Sequence, residues 1–168
     1  LKKEKFNIDP EMLRPYFKAE NVINGIFKVA NKMYGIKFEE LNDVDTWHEE
    51  VKCYKVINYD KSFVGLIYID LHPRPTKRSG AWMNSIKDNG LYKGNIRRPH
   101  VQFTANLTRS TKEKPALLTF GEVETVFHEF GHCLHGLLSD CKYSTIGNTN
   151  VEWDFVELPS QIMENWLD

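Results

Sequence analysis

The sequence predicts an α+β fold that is mainly helical, with a small β-sheet ahead of two packed helices in the C-terminal third. Apolar residues recur at the spacing of one helix face in residues 20–34 and 120–139. Three other stretches are rich in β-branched and aromatic residues, as strands are, and they cover residues 51–57, 63–71 and 101–107. With 168 residues, 41% of them apolar, the chain is long enough for one domain with a buried core.

The N-terminal half should supply one helix and one hairpin. The helix over residues 20–34 is followed by Gly35, a residue that commonly ends helices. The stretches 51–57 and 63–71 are separated by NYDKS, whose residues favour turns, so we expect an antiparallel hairpin. Residues 72–100 contain prolines, glycines and basic side chains and are predicted to form a loop.

The C-terminal half should contain one strand and two helices. Residues 101–107 alternate in polarity and predict a strand. Thr119 followed by Glu122 predicts a capping box at the start of the helix over residues 120–139. After a loop, a last helix is predicted to begin near residue 154.

Composition and charge exclude several classes of protein. The chain has 22 basic and 23 acidic residues, so it offers no basic excess for nucleic acid. No apolar run approaches the roughly 18 residues of a membrane span. Three cysteines are too few for a disulfide framework, which favours a reducing compartment and a cytoplasmic location. We therefore expect neither nucleic acid nor a membrane as a partner.

The main functional signal is a histidine pair in FHEFGHCLHG, residues 127–136. His128 and His132 are four residues apart, so they stand on one helix face with Cβ atoms about 5–6 Å apart. Two imidazoles in that arrangement can reach one zinc ion at about 2.0–2.1 Å. Glu129 lies about 100° further round the helix, where it could touch a metal-bound water. This H-E-x-x-H spacing is typical of zinc peptidases, but histidines that simply face water would produce it too.

The same helix carries an apolar stripe that uses none of the histidines. A glycine inside a helix costs about 1 kcal/mol relative to alanine, and a close approach of another backbone would explain Gly131. Glu124 lies beside the histidines, on the face opposite the stripe. The stripe consists of Val123, Phe127, Phe130, Leu134 and Leu137.

A catalytic zinc site needs a third protein ligand and one open position. The metzincin pattern fails, because position 135 is histidine and position 138 is leucine. A carboxylate on the following helix is the alternative, and Glu157 and Glu164 are both available. Asp154 with Glu157 could instead form a capping pair at the start of that helix.

Two motifs together, FHEFGH at 127–132 and DFVELPSQIMENW at 154–166, resemble the thimet oligopeptidase family of zinc metallopeptidases. That family includes oligopeptidase A and dipeptidyl carboxypeptidase. The likeness extends to KRSGAWM at 77–83 and PALLTFGEVET at 115–125, and so covers most of the chain. The resemblance implies that residues 1–168 are part of one zincin-type metallopeptidase catalytic domain, truncated at both ends.

The resemblance also implies roles for individual residues. By this match His128, His132 and Glu157 would bind one Zn²⁺ per chain, and Glu129 would be the catalytic base. The expected reaction is hydrolysis of short peptides with a metal-bound water as nucleophile. Whether the enzyme cleaves internally or releases dipeptides stays open.

Supporting roles around the metal are less determined. Asp154 or Glu124 could orient a zinc-bound imidazole, or could serve only in capping and surface pairing. His135 could be a fourth ligand or a hydrogen-bonding neighbour of the site. Cys133 could be a thiol nucleophile or a small packed residue of the helix. The strand over 101–107 could pair with an extended substrate or be an ordinary internal strand.

Two other functions stay open on the sequence alone: a zinc-binding domain without catalysis, and a helical interaction module with a coincidental motif. The family's further substrate-binding groups are expected beyond Asp168. We therefore expect the 168 residues alone to have little activity, and to self-associate through an apolar face at the last helix.

Overall fold

The computed structural model describes residues 12–110 and 116–167. Its described part contains three α-helices, which are α1 (Ala19–Tyr34), α2 (Phe120–Leu138) and α3 (Leu158–Glu164). Short 3₁₀ turns cover Arg14–Tyr16, Ser144–Ile146 and Asn165–Leu167. The strands are β1 (Lys37–Leu41), β2 (Lys52–Ile57), β3 (Phe63–Asp70), β4 (Trp82–Lys87), β5 (Gly90–Tyr92), β6 (Asn95–Arg97) and β7 (His100–Thr104).

Five of these strands form one mixed sheet in the order β1-β2-β3-β7-β4. β3 and β7 are parallel, and every other neighbouring pair in the sheet is antiparallel. Within the described ranges β4 is therefore an edge strand that hydrogen-bonds to β7 alone. The short strands β5 and β6 form a separate hairpin.

Helix α2, which carries the histidine pair, packs against β3, β7 and β4. It therefore lies near the sheet edge that β4 forms. All five residues of its predicted apolar stripe are buried. An aromatic cluster joins α1 to the sheet and to α2: Phe27 stacks on Phe38 at 4.1 Å between ring centroids, and both rings lie within 6 Å of Phe130. The core therefore lies between the two long helices and the sheet.

Several predicted elements are confirmed. The first helix ends at Gly35, whose φ of 71° is the left-handed conformation that favours glycine. The hairpin of β2 and β3 forms across the predicted turn. Thr119 and Glu122 form both hydrogen bonds of the capping box.

Three predictions are corrected. Residues 72–100 are not only loop, because they contain β4, β5 and β6. β1 was not predicted, so the sheet is larger than a mainly helical fold with a small sheet implies. The last helix begins at Leu158 rather than near residue 154, because residues 153–157 form turns.

The loop between β3 and β4 folds around the buried carboxylate of Asp70. Arg74 donates to both carboxylate oxygens at 2.8 Å, Lys77 donates at 2.8 Å, and the Trp47 indole donates at 3.0 Å. Burial opposes ionisation of Asp70, but the hydrogen bonds from these three residues outweigh it and hold its pKa well below the usual range. Lys77 also donates to the carbonyl oxygens of Asp70 and His72. The loop that leads into β4 is therefore tied to the end of β3.

Within the described ranges, no helix combines the length and the apolar character that crossing a membrane requires.

Candidate metal centre

Three side chains from α2 and the start of α3 converge on one point. The Nε2 atoms of His128 and His132 each lie 3.1 Å from the same oxygen of Glu157, Oε2. The two imidazole rings are 5.0 Å apart between centroids and nearly perpendicular. His128 and His132 are half-buried and Glu157 is exposed, so the point where they meet faces solvent.

The arrangement fits a zinc ion. Ligands at about 2.0–2.1 Å from a tetrahedral ion lie roughly 3.3 Å from one another, close to the 3.1 Å that separates each imidazole nitrogen from the carboxylate oxygen. All three donor atoms lie within 4.8 Å of one another, and no other histidine, cysteine or acidic residue in the described part of the chain joins this group. Two nitrogens and one carboxylate oxygen are a donor set of catalytic zinc sites, which keep the fourth position open.

The surroundings favour the protonation states that a metal requires. A hydrogen bond from Ser160, at 2.8 Å, lowers the pKa of Glu157, and the two histidines lower it further. Burial lowers the pKa of His132, although Glu157 partly opposes that effect. At neutral pH Glu157 is thus a carboxylate and His132 a neutral imidazole, the forms that bind metal.

Glu129 follows His128 on α2 and is half-buried. The backbone of Met83, on the edge strand β4, lies near enough to Glu129 to influence its pKa. Burial raises the pKa of Glu129, the nearby Glu157 adds to this effect, and His128 and the Met83 backbone partly oppose it. A half-buried carboxylate with a raised pKa beside a metal group is suited to accepting a proton.

Comparison with known proteins shows which family the chain is related to. The family model of peptidase family M3 matches residues 1–168. The chain belongs to peptidase family M3. It is 42% identical to oligopeptidase A of Salmonella typhimurium over 98% of this chain and 25% of that protein. It is 38% identical to dipeptidyl carboxypeptidase of Escherichia coli, over 99% of this chain and 24% of that protein.

A eukaryotic relative is as similar to this chain as dipeptidyl carboxypeptidase is. Saccharolysin of Saccharomyces cerevisiae is 38% identical over 97% of this chain and 24% of its own length. The chain thus spans about a quarter of the length of the curated M3 relatives that it matches.

A glycine lets helices α2 and α3 of this M3 chain approach closely. A Cβ atom on Gly131 would lie 2.5 Å from the carbonyl oxygen of Pro159 and 2.6 Å from the Cα of Ser160. The close backbone approach expected from the sequence is therefore present, and α3 supplies it. Pro159 itself lies in the first turn of α3, where its missing N–H costs no helix hydrogen bond.

A second carboxylate supports the histidine pair from the far end of α3. Glu164 Oε1 lies 2.5 Å from His128 Nδ1. A metal-binding histidine commonly has its other ring nitrogen bonded to a carboxylate, which fixes the tautomer and the ring orientation. Sequence analysis offered Glu164 only as an alternative ligand. The signal that could have assigned it is the spacing of seven residues from Glu157, which places both on one helix face.

The other predicted supporting residues lie elsewhere. In the part of the chain that the structure describes, neither Glu124 nor Asp154 hydrogen-bonds to an imidazole, and both are exposed. The Asp154–Glu157 capping pair does not form, since Glu157 is the N-cap of α3 without a side-chain cap hydrogen bond. The position beside His128 is taken by Glu164.

Two rival assignments are resolved by burial and position. Cys133 is fully buried, and burial raises the pKa of its thiol well above the usual value, so it packs in the core rather than acting as a nucleophile. His135 lies outside the three-residue metal group and contacts the Phe155 ring edge-on.

The strand predicted over 101–107 is confirmed as β7 but lies between β3 and β4. It is therefore an ordinary internal strand and is not available to pair with a substrate. The edge nearest to Glu129 belongs to β4.

Proposed function

We propose that the M3 peptidase to which this sequence belongs hydrolyses peptide bonds in short oligopeptides. In this proposal the zincin-type centre is one Zn²⁺ per chain held by His128, His132 and Glu157, with Glu129 as general base. The observation that supports it most is the convergence of two Nε2 atoms and one carboxylate oxygen at the spacing of zinc ligands.

When bound, zinc supplies a Lewis acid that polarises the scissile carbonyl and lowers the pKa of a coordinated water to about 7. Glu129 accepts the proton of the attacking water at its carboxylate and returns it to the leaving amine. The raised pKa of Glu129 helps it to hold that proton between the two steps. The attack is direct, so no covalent acyl-enzyme is required.

The edge strand β4 is the proposed docking site for the substrate backbone. An extended peptide can add to an exposed sheet edge by main-chain hydrogen bonds. Among the described residues β4 pairs with β7 alone, and it packs against α2, the helix that carries Glu129. A peptide added there would run beside the general base.

The names of the relatives agree with small peptide substrates but leave the cleavage mode open. They include both oligopeptidase A and dipeptidyl carboxypeptidase at similar identity. Digestion of short peptides, with fragments read by mass spectrometry, would distinguish internal cleavage from release of C-terminal dipeptides. The cytoplasmic location and self-association through exposed apolar surface, which includes Trp166, stay predictions.

The first alternative is a zinc-binding domain without catalysis. Such a site needs a fourth protein ligand that closes the coordination sphere, and the described residues supply three. The second alternative, a helical interaction module, predicts no stoichiometric zinc. Elemental analysis of the purified protein for zinc distinguishes these two alternatives before any assay of activity.

The decisive functional experiment is Glu129→Gln in the full-length enzyme. Glutamine keeps the shape of glutamate but cannot accept a proton, so turnover should fall about 10²–10⁴-fold while zinc content stays at one per chain. Glu39→Gln, on the exposed face of β1, is the matched control and should cleave normally. Near-normal cleavage by a zinc-loaded Glu129→Gln enzyme would assign the base to another residue.

A further inference from the structure

The third candidate ligand is held less firmly than the two histidines. The Glu157 side chain is long and 51% exposed, whereas those of His128 and His132 are 28% and 13% exposed and belong to the middle of α2. An exposed glutamate samples several rotamers, and fixing one of them for metal binding costs conformational entropy. A contact that sets the direction of this carboxylate in advance would therefore favour metal binding.

Ser160 makes a hydrogen bond that can set this direction. Its Oγ lies 2.8 Å from Glu157 Oε2, the same oxygen that lies 3.1 Å from the Nε2 atoms of His128 and His132. Apart from the two imidazoles, the hydrogen bonds and ion pairs of the described residues give this carboxylate no other partner. Ser160 thus bonds the oxygen atom at which the candidate ligands converge.

The hydroxyl of Ser160 has two acceptors within reach, and both belong to Glu157. The second is the backbone carbonyl oxygen of Glu157, also at 2.8 Å. A serine hydroxyl donates one proton, and a hydrogen bond to a charged acceptor is roughly twice as strong as one to a neutral acceptor. The bond to the carboxylate oxygen is therefore the favoured one.

Ser160 is itself fixed relative to the histidines. It is fully buried, with 0% of its surface exposed, at the place where α3 packs on α2. A Cβ atom on Gly131 would lie 2.6 Å from the Cα of Ser160, and Gly131 is the residue before His132 in α2. The backbone that carries the imidazoles is therefore in close contact with the residue that holds Glu157.

We propose that Ser160 is a positioning residue of the metal centre, whose hydroxyl holds Glu157 Oε2 between the two imidazoles before an ion binds. The inference rests on the proposed zinc site of His128, His132 and Glu157. It assigns Ser160 an effect on zinc that acts through Glu157 alone. A residue that merely packs α3 against α2 would affect zinc binding whether or not the Glu157 carboxylate is present.

The test is a double-mutant cycle in the full-length enzyme, with Ser160→Ala made in the parent and in Glu157→Ala. Alanine lacks the hydroxyl, adds no volume and is the best helix former, so the variant should fold. Thr46→Ala is the matched control, because the Thr46 hydroxyl is also partly buried but donates to the backbone carbonyl of His48. The zinc dissociation constant of each protein is measured by competition with a chelator.

The expected result is a loss of zinc affinity of about 10- to 100-fold for Ser160→Ala in the parent, as is typical when a group that orients a ligand is removed. In the Glu157→Ala background the same change should alter the affinity by no more than about twofold. Thr46→Ala should bind zinc like the parent. Parental zinc affinity in Ser160→Ala would overturn the proposal, and so would an equal loss in both backgrounds, which would indicate a role in helix packing.

Crystals of the metal-free proteins give a second readout that does not depend on zinc. In the parent, Glu157 Oε2 should stay within hydrogen-bond distance of Ser160 Oγ, and in Ser160→Ala the carboxylate should leave the histidine pair or occupy several conformers. An unchanged carboxylate in Ser160→Ala would contradict the proposal. A parent that binds zinc but cleaves no peptide would overturn the proposed hydrolysis alone. A parent that binds no zinc would overturn the proposed metal centre, and the metal-free crystals would still decide whether Ser160 holds Glu157.

Discussion

Gly131→Ala should disable the metal centre without removing any ligand. The new Cβ would lie 2.5 Å from Pro159 O, whereas ordinary van der Waals contacts begin at 3.4 Å. The α3 backbone would therefore have to retreat from α2 by about 0.9 Å, the difference between these two distances. Glu157 lies at the start of α3 and would move with it, and zinc ligand distances tolerate deviations of only about 0.2 Å.

The energetic consequences should differ between folding and metal binding. Overpacking of this kind costs about 1–3 kcal/mol, and alanine recovers about 1 kcal/mol of helix propensity relative to glycine. The free energy of unfolding of the metal-free protein should therefore fall by no more than about 2 kcal/mol. Zinc affinity should fall at least 10- to 100-fold, the loss typical of disturbing a group that orients a ligand.

The assay is zinc titration against a competing chelator, combined with denaturant unfolding of the metal-free protein. Gly25→Ala is the matched control, because Gly25 lies inside α1 and its added Cβ meets nothing within 4 Å. That variant should be more stable by about 0.5–1 kcal/mol and should bind zinc normally. A Gly131→Ala protein with parental zinc affinity would show that the approach of α2 and α3 does not set the geometry of the site.

Further predictions concern the groups around the site. Glu164→Gln should weaken zinc binding about 10- to 100-fold, because the His128 ring loses its carboxylate partner; parental affinity in a chelator competition would exclude that role. Asp70→Asn should lower the free energy of unfolding by about 3–5 kcal/mol at pH 7, since Lys77 becomes a buried charge without its partner. The pKa of Asp70 is depressed in the folded state, so its contribution is complete above the unfolded value of 3.8 and is lost as pH falls through the lower folded value. The difference between parent and variant in denaturant unfolding should accordingly shrink below about pH 4, and a difference independent of pH would contradict this account.

The position of the candidate metal centre was largely predictable because its signal is local. Helix periodicity alone places His128 and His132 on one face, and the capping box locates the start of the helix. The third candidate ligand lies 25 residues beyond His132, and its assignment to Glu157 depended on a family resemblance. Gly131 was recognised as unusual from its cost in a helix, but its partner in α3 became known only from the structure.

There is a physical reason why the strands at the edge of the sheet could not be predicted from the sequence. β4 has partly or fully exposed residues throughout, so its sequence, WMNSIK, lacks the alternation of a strand with one buried face. β5 and β6 contain three residues each, which is too short for a periodic signal. β1 likewise exposes most of its residues. Asp70, which ties the loop before β4 to the end of β3, acts through side-chain contacts with Arg74, Lys77 and Trp47 that leave no pattern in the sequence.

The central claim, that one zinc ion is held by two histidines and one glutamate, is tested most directly by anomalous diffraction at the zinc absorption edge. Crystals of the zinc-loaded protein should give one strong anomalous peak per chain, about 2.0–2.2 Å from His128 Nε2, His132 Nε2 and Glu157 Oε2, with no fourth protein ligand. A peak bound by His135 or by another side chain that closes the fourth position, or a peak beyond the reach of Glu157, would contradict the catalytic site proposed for this chain.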